Sequence, residues 1–561
     1  MPSELDRQLA VVMDALTAPG GPLETASIKR FGAELPVLKN APPHLPAFFA
    51  HYCAQHGDAE FLVDGDLRLS FSEVLALARE AACGLVSRHG VRQGERIGLA
   101  ARNSANWIIA FMAIAIAGGC ASLLNGWWTA EEMEDAVALS GCRLILADPQ
   151  RLARLSAIGH GCEVIAFDHG EPRAGLAALL GGEEAALPAL TGDDLATILF
   201  TSGSTGQSKG AVSDHRAVVH ATLSYAAQTL MIFTYLGQRG MAPAMQPCAL
   251  VTVPMFHVTG EIPVLLQSFA LGRKLVLMPK WDAREAMRLI AAERVTYFVG
   301  VPLMSHEIAT HPARADYDLS SCIHFAAGGA PRPVDHVRTI REALPHAFPI
   351  LGYGLTETNA VGCGNFNENY LAKPSSTGPA SRPLVELAIL AEDGTRLPQG
   401  EVGEVAIRSV CNFLGYWRNP EATAAAMTGD GFFRSGDLGY LDADGYLFIV
   451  DRKKDIIIRG GENIAASEVE AALYAHPDII EASVFGLPDA RLGEVPVAVY
   501  VPRGSAALSA ESLQAFLEAH LAAFKIPVRY WQAEGQLPRL GTEKVDKRAL
   551  RARYLEIWGA R

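Results

Sequence analysis

The sequence predicts an α/β protein. Its large N-terminal domain is built of helix-covered, mainly parallel sheets and carries a small β-barrel-like subdomain. A small α+β C-terminal domain follows. Three observations carry this prediction. From about residue 45 to 360, short apolar runs alternate with helix-length stretches, the pattern of a parallel sheet with crossover helices. Short, turn-punctuated strands then crowd residues 376–450. The last stretch, roughly a hundred residues, has strands flanking one helix and is within the usual size of an independent domain. At 561 residues the chain exceeds what one core serves, since domains typically run to about 250 residues or fewer.

Residues 1–45 read as a peripheral segment. Leu5, Leu9, Val12 and Leu16 mark one short amphipathic helix before a Pro/Gly-rich stretch. In the large domain, 46–451, Arg96 to Ala100 reads as a strand, Ala105 to Ile116 as a helix and Cys142 to Leu146 as another strand. Trp107 to Leu124 is apolar enough to suggest a membrane span. Gly118-Gly119 divides it into a helix-like and a strand-like half, which fits a buried βαβ unit and no transmembrane segment. Further strands are expected at Leu195–Phe200, Leu250–Val253, Val295–Val299 and Ile323–Ala326, each opening into a turn at its carboxyl end, where open α/β sheets bind ligands.

Within 376–450, strands at Gly403–Ile407 and Phe432–Asp437 precede the hairpin signal Asp442 to Tyr446. The charged run Asp451-Arg452-Lys453-Lys454-Asp455 lies between two apolar strands and, taken alone, reads as a solvated turn. In the C-terminal domain, 456–561, Ser509 is the expected N-cap of a helix whose apolar face is Leu513, Phe516, Leu517 and Leu521. A final turn, Leu537 to Val545, carries Lys544.

Whole-chain properties narrow the function. Half the residues are hydrophobic and 19% are charged, so the chain has ample material for an ordered core. A net charge of −13 argues against nonspecific nucleic-acid binding or adhesion to an anionic membrane. Nine scattered cysteines without a Cys-x-x-Cys pair suit reduced thiols, and the first residues lack a basic segment followed by an apolar run, so a cytoplasmic location is expected.

The richest chemistry lies in Thr201-Ser202-Gly203-Ser204-Thr205-Gly206-Gln207-Ser208-Lys209-Gly210. Three glycines let backbone N–H groups close around an anion, five hydroxyls add donors, and Lys209 adds positive charge. It is not a Walker A loop, because counting from Gly203 puts Ser208 where glycine belongs and Gly210 where Ser/Thr belongs.

In chain order follow Pro254 to Gly260, Gly328-Gly329-Ala330-Pro331, Gly352 to Glu357, Ser435-Gly436-Asp437, Asp451-Arg452, Gly460-Gly461-Glu462-Asn463 and Lys544. This ordered set, over nearly the whole chain from about residue 45, resembles the adenylate-forming (AMP-binding) enzymes: acyl-CoA synthetases, aryl-CoA ligases, beetle luciferases and nonribosomal adenylation domains. The resemblance implies an AMP-forming acid–thiol ligase that uses ATP, Mg²⁺ and coenzyme A. A carboxylate attacks the α-phosphate to give an acyl-adenylate and pyrophosphate, and a thiol then displaces AMP.

By that likeness Thr201, Ser202, Gly203, Ser204, Thr205, Gly206 and Lys209 hold the β- and γ-phosphates. Tyr353 and the turn Gly329-Ala330-Pro331 sandwich adenine, and Asp437 and Arg452 take the ribose hydroxyls. Thr356 meets the α-phosphate, Glu357 ligates Mg²⁺, and Lys544 is the principal catalytic cation. The C-terminal domain is implied to be mobile, turning about Lys454 in a hinge at 452–455 to bring Gly460 and Gly461 toward the thioester site. His257, Thr259, Val301, Gly329 and Gly352 are the expected walls of the acid pocket, with His257 also counted among the catalytic residues.

Three departures from the family pattern stand out: Ser208 in place of proline, Glu543 in place of glycine before Lys544, and Ala465-Ala466-Ser467 after Asn463. His257 stands where amino-acid-activating relatives carry aspartate, which argues against an amino acid. Thr259, smaller than the aromatic residue of coumarate ligases, favours a medium- or long-chain fatty acid. The alternatives are an aryl acid of the coumarate or benzoate type, or an adenylate former that loads a carrier protein. A nucleotide-binding regulator with decayed catalysis is disfavoured by the intact Glu357, Asp437, Arg452 and Lys544. The partners expected are thus small molecules, and a homodimer stays open.

Overall fold

The computed structural model describes residues 3–201, 208–240, 245–328, 332–504, 508–540 and 544–559. Two large sheets dominate the N-terminal domain. The first runs, edge to edge, Gly415–Tyr416, Lys209–Asp214, Leu195–Thr201, Cys120–Leu123, Arg96–Ala100, Leu144–Ala147 and Glu163–Ala166, parallel from Leu195–Thr201 onward. The second runs Cys363–Asn365, Phe348–Tyr353, His324–Ala327, Tyr297–Gly300, Cys248–Val251, Lys274–Leu277, Glu60–Asp64 and Leu67–Ser70, with antiparallel pairs at its two ends only. Both sheets are thus mainly parallel, as the alternating pattern predicts.

Helix Ala105–Ile116 touches strands of both sheets, and each of its residues is buried. That explains the absence of a polar face in its sequence: a helix covered on all sides has no use for one. Gly118 and Gly119 end it and strand Cys120–Leu123 follows, so the apolar stretch is two elements of one βαβ unit. No helix among the described residues is long and apolar enough to cross a membrane.

Residues before 45 hold more structure than one helix. Helix Glu4–Thr17 opens with a reciprocal capping box between Ser3 and Asp6, and an antiparallel hairpin joins Thr25–Arg30 to Ala33–Leu38. The helix packs through Leu9, Val12, Met13 and Leu16 on helix His215–Gly237, and Asp6 Oδ1 accepts from Tyr446 Oη and Asn369 Nδ2, each at 2.8 Å. The segment is therefore docked on the body of the protein.

A third sheet is antiparallel, in the order Val385–Leu390, Gly403–Ser409, Phe433–Leu441, Leu447–Arg452. The C-terminal domain has its own core around Val469, Leu473, Val484, Leu513 and Leu517. Its sheet sets Ile479–Asp489 against Gly493–Pro502, with Ile457–Arg459, Glu462–Ile464 and Tyr530–Gln532 alongside. Ser509 caps helix Ala510–Glu518 by accepting from Ser512 N–H.

The charged run departs from a plain solvated turn. Asp451 lies within the strand Leu447–Arg452 and is 6% exposed, and its Oδ2 accepts from Ser467 N–H at 3.1 Å. Only Arg452 to Asp455 turn in the open, closed by a bond from Asp455 N–H to the Arg452 carbonyl.

Candidate active site

A cavity of about 2540 Å³ opens where the parallel strands of the second sheet end and the third sheet and the C-terminal domain close over them. Its walls include Thr201, Lys209, His257, Thr259, Thr356, Glu357, Asp437, Arg452, Lys454 and Lys544, residues separated by up to hundreds of positions in the chain. The fold thus brings most of the sequence-predicted site to one place.

On the nucleoside side, Tyr353 ends the strand Phe348–Tyr353 and its Oη donates to Asp437 Oδ2 at 2.7 Å. Arg452 Nε lies 3.3 Å from Asp437 Oδ1. Burial and the Asp437 carboxylate push the Tyr353 hydroxyl far above its usual range, so it stays a donor. The chain turns sharply after Tyr353, and a Cβ at Gly354 would collide with the Ala360 carbonyl. Only glycine allows that approach.

On the phosphate side, strands Leu195–Thr201 and Lys209–Asp214 pair antiparallel with Thr201 opposite Lys209. Of the residues expected here and at the adenine and catalytic turns, Ser202, Gly203, Ser204, Thr205 and Gly206 lie outside the described residues, as do Gly329, Ala330, Pro331 and Glu543. Lys209 Nζ stands 4.8 Å from the centre of the Tyr416 ring, and Tyr416 Oη donates to Glu357 Oε1 at 2.7 Å. Strand Gly415–Tyr416 is held to strand Lys209–Asp214 by pairing Tyr416 with Ala211. The turn Thr356–Thr358 is fixed from behind, because Phe413 N–H donates to the Glu357 carbonyl and Asn359 Nδ2 to Ser213 Oγ.

Burial raises the Glu357 carboxyl, and the Tyr416 hydrogen bond opposes that shift. A single hard carboxylate beside a phosphate loop fits Mg²⁺, which binds through one or two carboxylates plus substrate phosphates and keeps its waters. Among the described residues no group of three or more His, Cys, Asp or Glu side chains could make an all-protein metal cage.

The acid side is a slot along one face of the second sheet. Side chains alternate across a strand, so Tyr297 and Val299, His324, Ala326 and Gly328, and Ile350 and Gly352 look the same way, and all of them line the cavity. Thr259 closes over Gly328, where a Cβ would come within 3.7 Å of its methyl, and Tyr225 stands over Gly352.

Val301 corrects the expected wall. Its strand ends at Gly300, Val301 becomes the residue before helix Pro302–Thr310, and its side chain joins the core around Met304 and Ile308. Val299 lines the cavity in its place. His257 Nδ1 accepts from Thr259 N–H at 3.3 Å, and burial followed by the Lys544 charge depresses its pKa to about 3. The ring is thus neutral and carries its proton on Nε2.

Lys544 reaches the cavity on a loop pinned by main-chain bonds. Leu540 N–H donates to its carbonyl at 2.8 Å, and Arg539 bridges to Val545. Burial, with the Arg452 charge second, lowers its pKa to about 8, while Asp437 and Glu357 pull the other way. Gly460 and Gly461 are not brought to the cavity. They have φ of 60° and 92° and form the tight turn between Ile457–Arg459 and Glu462–Ile464.

Sequence reasoning missed Tyr416, Arg273, Tyr225, Tyr297 and His324, all in the cavity wall. The aromatic pair after Gly415 was the one local signal for Tyr416. The others are single residues on elements that only the sheet order assembles.

Comparison with known proteins agrees with this geometry. Residues 49–417 match the model of the AMP-binding enzyme family and residues 468–544 that of the AMP-binding enzyme C-terminal domain. The chain is 33% identical to a feruloyl-CoA synthase of an Amycolatopsis species, over 87% of this chain and 95% of that protein. It is 32% identical to the long-chain-fatty-acid–CoA ligase FadD13 of Mycobacterium tuberculosis, over 87% of this chain and 94% of the relative. Two further relatives are named as 4-coumarate–CoA ligases and a third as 4-coumarate–CoA ligase-like. Among solved structures, ATP-bound MatB from Rhodopseudomonas palustris superposes with a TM-score of 0.81 at 28% identity, covering 92% of this chain and all of that one. The chain belongs to the AMP-binding enzyme family and is an AMP-forming acid–thiol ligase, which activates a carboxylic acid with ATP as an acyl-adenylate and passes it to coenzyme A.

Proposed function

We propose that this ligase takes an aryl acid, in preference to the medium- or long-chain fatty acid that Thr259 suggested. The shape of the slot carries this reading. Its floor is a sheet face with small side chains at Ala326, Gly328 and Gly352, the rings of Tyr225 and Tyr297 stand over it, and its inner end is polar. A flat ring fits such a slot, whereas an alkyl chain is served by apolar walls throughout. The names of the relatives support it, since feruloyl and 4-coumaroyl ligases outnumber the fatty-acid ligase among them.

The residue roles follow from geometry and charge. The acid enters with its carboxylate near His257, whose neutral ring donates from Nε2 and orients the carboxylate without a strong ion pair. One carboxylate oxygen bonds to the α-phosphorus as pyrophosphate leaves. Lys544 supplies positive charge where negative charge gathers on the carboxylate, the α-phosphate and the bridging oxygen. Thr356 contributes a hydroxyl to the α-phosphate, and Thr201 and Lys209 steady the departing pyrophosphate. Asp437, aligned by Tyr353 and Arg452, takes the ribose hydroxyls. Glu357 would hold Mg²⁺, which when bound supplies neutralising charge on the phosphates.

For the second step the C-terminal domain turns about the Arg452–Asp455 turn. Lys544 withdraws, and the Gly460-Gly461 turn comes to the site where the thiol sulfur attacks the acyl carbon and AMP departs.

Pyrophosphate release measured across cinnamic, benzoic and fatty acids, with and without coenzyme A, tests the reading. The expected result is highest kcat/KM with a substituted aryl acid and thioester formed only when coenzyme A is present. Preference for an unsubstituted fatty acid would overturn the aryl assignment, and thioester formed only on a carrier protein would overturn the acceptor.

A further inference from the structure

At the inner end of the acid slot lies a cation with no counter-charge among the described residues. Arg273 is 4% exposed and lines the cavity. Its Nη2 donates to Gln267 Oε1 at 3.0 Å, its Nη1 to the Pro263 carbonyl at 3.3 Å, and its guanidinium lies 4.8 Å from the centre of the Tyr297 ring. Gln267 is itself buried and oriented, since its Nε2 donates to Thr229 Oγ1 at 2.9 Å and so turns its oxygen to the arginine. Among the described residues Arg273 has no carboxylate within ion-pair reach. Glu60 and Glu293 pair instead with the adjoining Lys274, at 3.2 and 2.8 Å.

A buried guanidinium held by two neutral acceptors and a ring face keeps donors to spare, for it has five N–H groups. Buried charges are normally paired, and one that lines a substrate cavity can take its counter-charge from the substrate.

The position fixes what that substrate group is. Arg273 immediately precedes the strand Lys274–Leu277, while Tyr297 and His324, paired in register, begin their own strands. All three stand at the amino ends of parallel strands, opposite the carboxyl ends that carry Gly328, Tyr353 and the nucleotide site. From Gly328 back to His324 is four residues, roughly 13 Å of strand. His324 does not add a second cation there. Burial and then the Arg273 charge lower its pKa to about 4, so its ring is neutral.

Resting on the acid-activating reading above, we propose that the natural acid carries a second, anionic oxygen group, a carboxylate or an acidic phenol, at the end remote from the carboxyl that is activated, and that Arg273 receives it. The alternative role for Arg273 is purely structural, a brace on the Pro263 carbonyl in the π-helical turn Gly260–Leu266. The two roles differ in specificity. A receptor distinguishes acids that bear the distal group from acids that lack it, whereas a brace affects both alike.

Two matched pairs supply the test: cinnamate against 4-carboxycinnamate, and decanoate against decanedioate, assayed by pyrophosphate release. The wild-type enzyme is expected to favour the difunctional member of at least one pair by ~10-fold or more in kcat/KM, because a site built to bond a substrate group rejects the analogue lacking it. In Arg273→Met that ratio is expected to collapse to within about threefold, mainly through KM of the difunctional acid, and Arg273→Lys to restore part of it, since an ammonium keeps the charge but not the fork. Stabilisation of each variant by ATP in thermal unfolding checks that the fold survives.

No preference in either pair, no turnover of either difunctional acid, or a preference that Arg273→Met leaves intact would overturn the proposal. Failure of the aryl reading is visible separately, as higher turnover of the aliphatic pair than of the aryl pair whichever member is preferred.

Discussion

The two domains bring charge to the nucleotide site in opposite ways. In the large domain the two carboxylates are partnered and aimed: Asp437 with Tyr353 and Arg452, Glu357 with Tyr416. From the C-terminal domain comes one cation, Lys544, fixed through its backbone and with no ion pair among the described residues. Pairing holds a carboxylate at the geometry a ribose or a metal ion requires. An unpaired ammonium in a buried site keeps its field for charge that appears only during reaction. On the proposed roles the large domain binds and the tail sets the rate.

The largest effect is expected from Lys544→Ala. Adenylation, read as pyrophosphate release, should fall by about 10²–10³-fold, the scale of losing one preorganised charge-stabilising donor. Conversion of a supplied acyl-adenylate to thioester should persist. Loss of both half-reactions, or unchanged adenylation, would end the separation of roles.

Next comes the turn between the domains. Lys454 lies in the Arg452–Asp455 turn and borders the cavity, and its charge is felt at Lys544. Lys454→Pro fixes φ in the turn proposed as the pivot of the tail's rotation. Thioester formation should slow by about 10²-fold, as for a misplaced reacting group, while adenylation changes little. An equal loss in both steps would mean that the turn is not the pivot.

The unpaired state of Lys544 also sets a pH dependence. With its pKa lowered to about 8, the ammonium is present below that pH and lost above it. In the free enzyme kcat/KM for ATP should therefore fall above about pH 8, approaching tenfold per unit. Lys544→Arg, which stays charged, should remove that limb even where it lowers the rate. A profile flat to pH 10 would show that Lys544 is neutralised by a partner and would erase the contrast between the domains.

How much of this was legible in the sequence follows the same division. Residues in local motifs were readable. The strand Arg96–Ala100 and the helix Ala105–Ile116 fall where their patterns put them, and Thr356, Glu357, Asp437, Arg452 and Lys544 converge on one cavity. The partners that tune those residues were not. Tyr416 reaches Glu357 across 59 positions, and the link depends on a two-residue edge strand too short to leave a period. Val301 was misplaced by one strand end, because alternation predicts a face only while the strand lasts. Arg273 and His324 each look like ordinary strand-end polar residues until the sheet order gathers the amino ends of their strands, with Tyr297 in register with His324 and its ring against Arg273. Asp451 looked solvated because a charge run says nothing about which member turns inward to the Ser467 N–H.

Tyr416 gives the smallest expected effect and the finest probe of pairing. Burial raises the Glu357 carboxyl, and the Tyr416 hydroxyl is the largest influence holding it down. In Tyr416→Phe that restraint is gone, so Glu357 protonates at a higher pH than in the wild type. The acid limb of the ATP-dependent rate should shift upward, and more Mg²⁺ should be needed to reach half-maximal rate. The change is expected to be at most about tenfold, since a hydrogen bond to a charged group contributes ~1.5 kcal/mol or somewhat more. The alkaline limb, which belongs to Lys544, should stay where it is. If both limbs moved together, the carboxylate in the large domain and the ammonium from the tail would be one coupled pair, and the site would not divide into a paired half that binds and an unpaired charge that drives the chemistry.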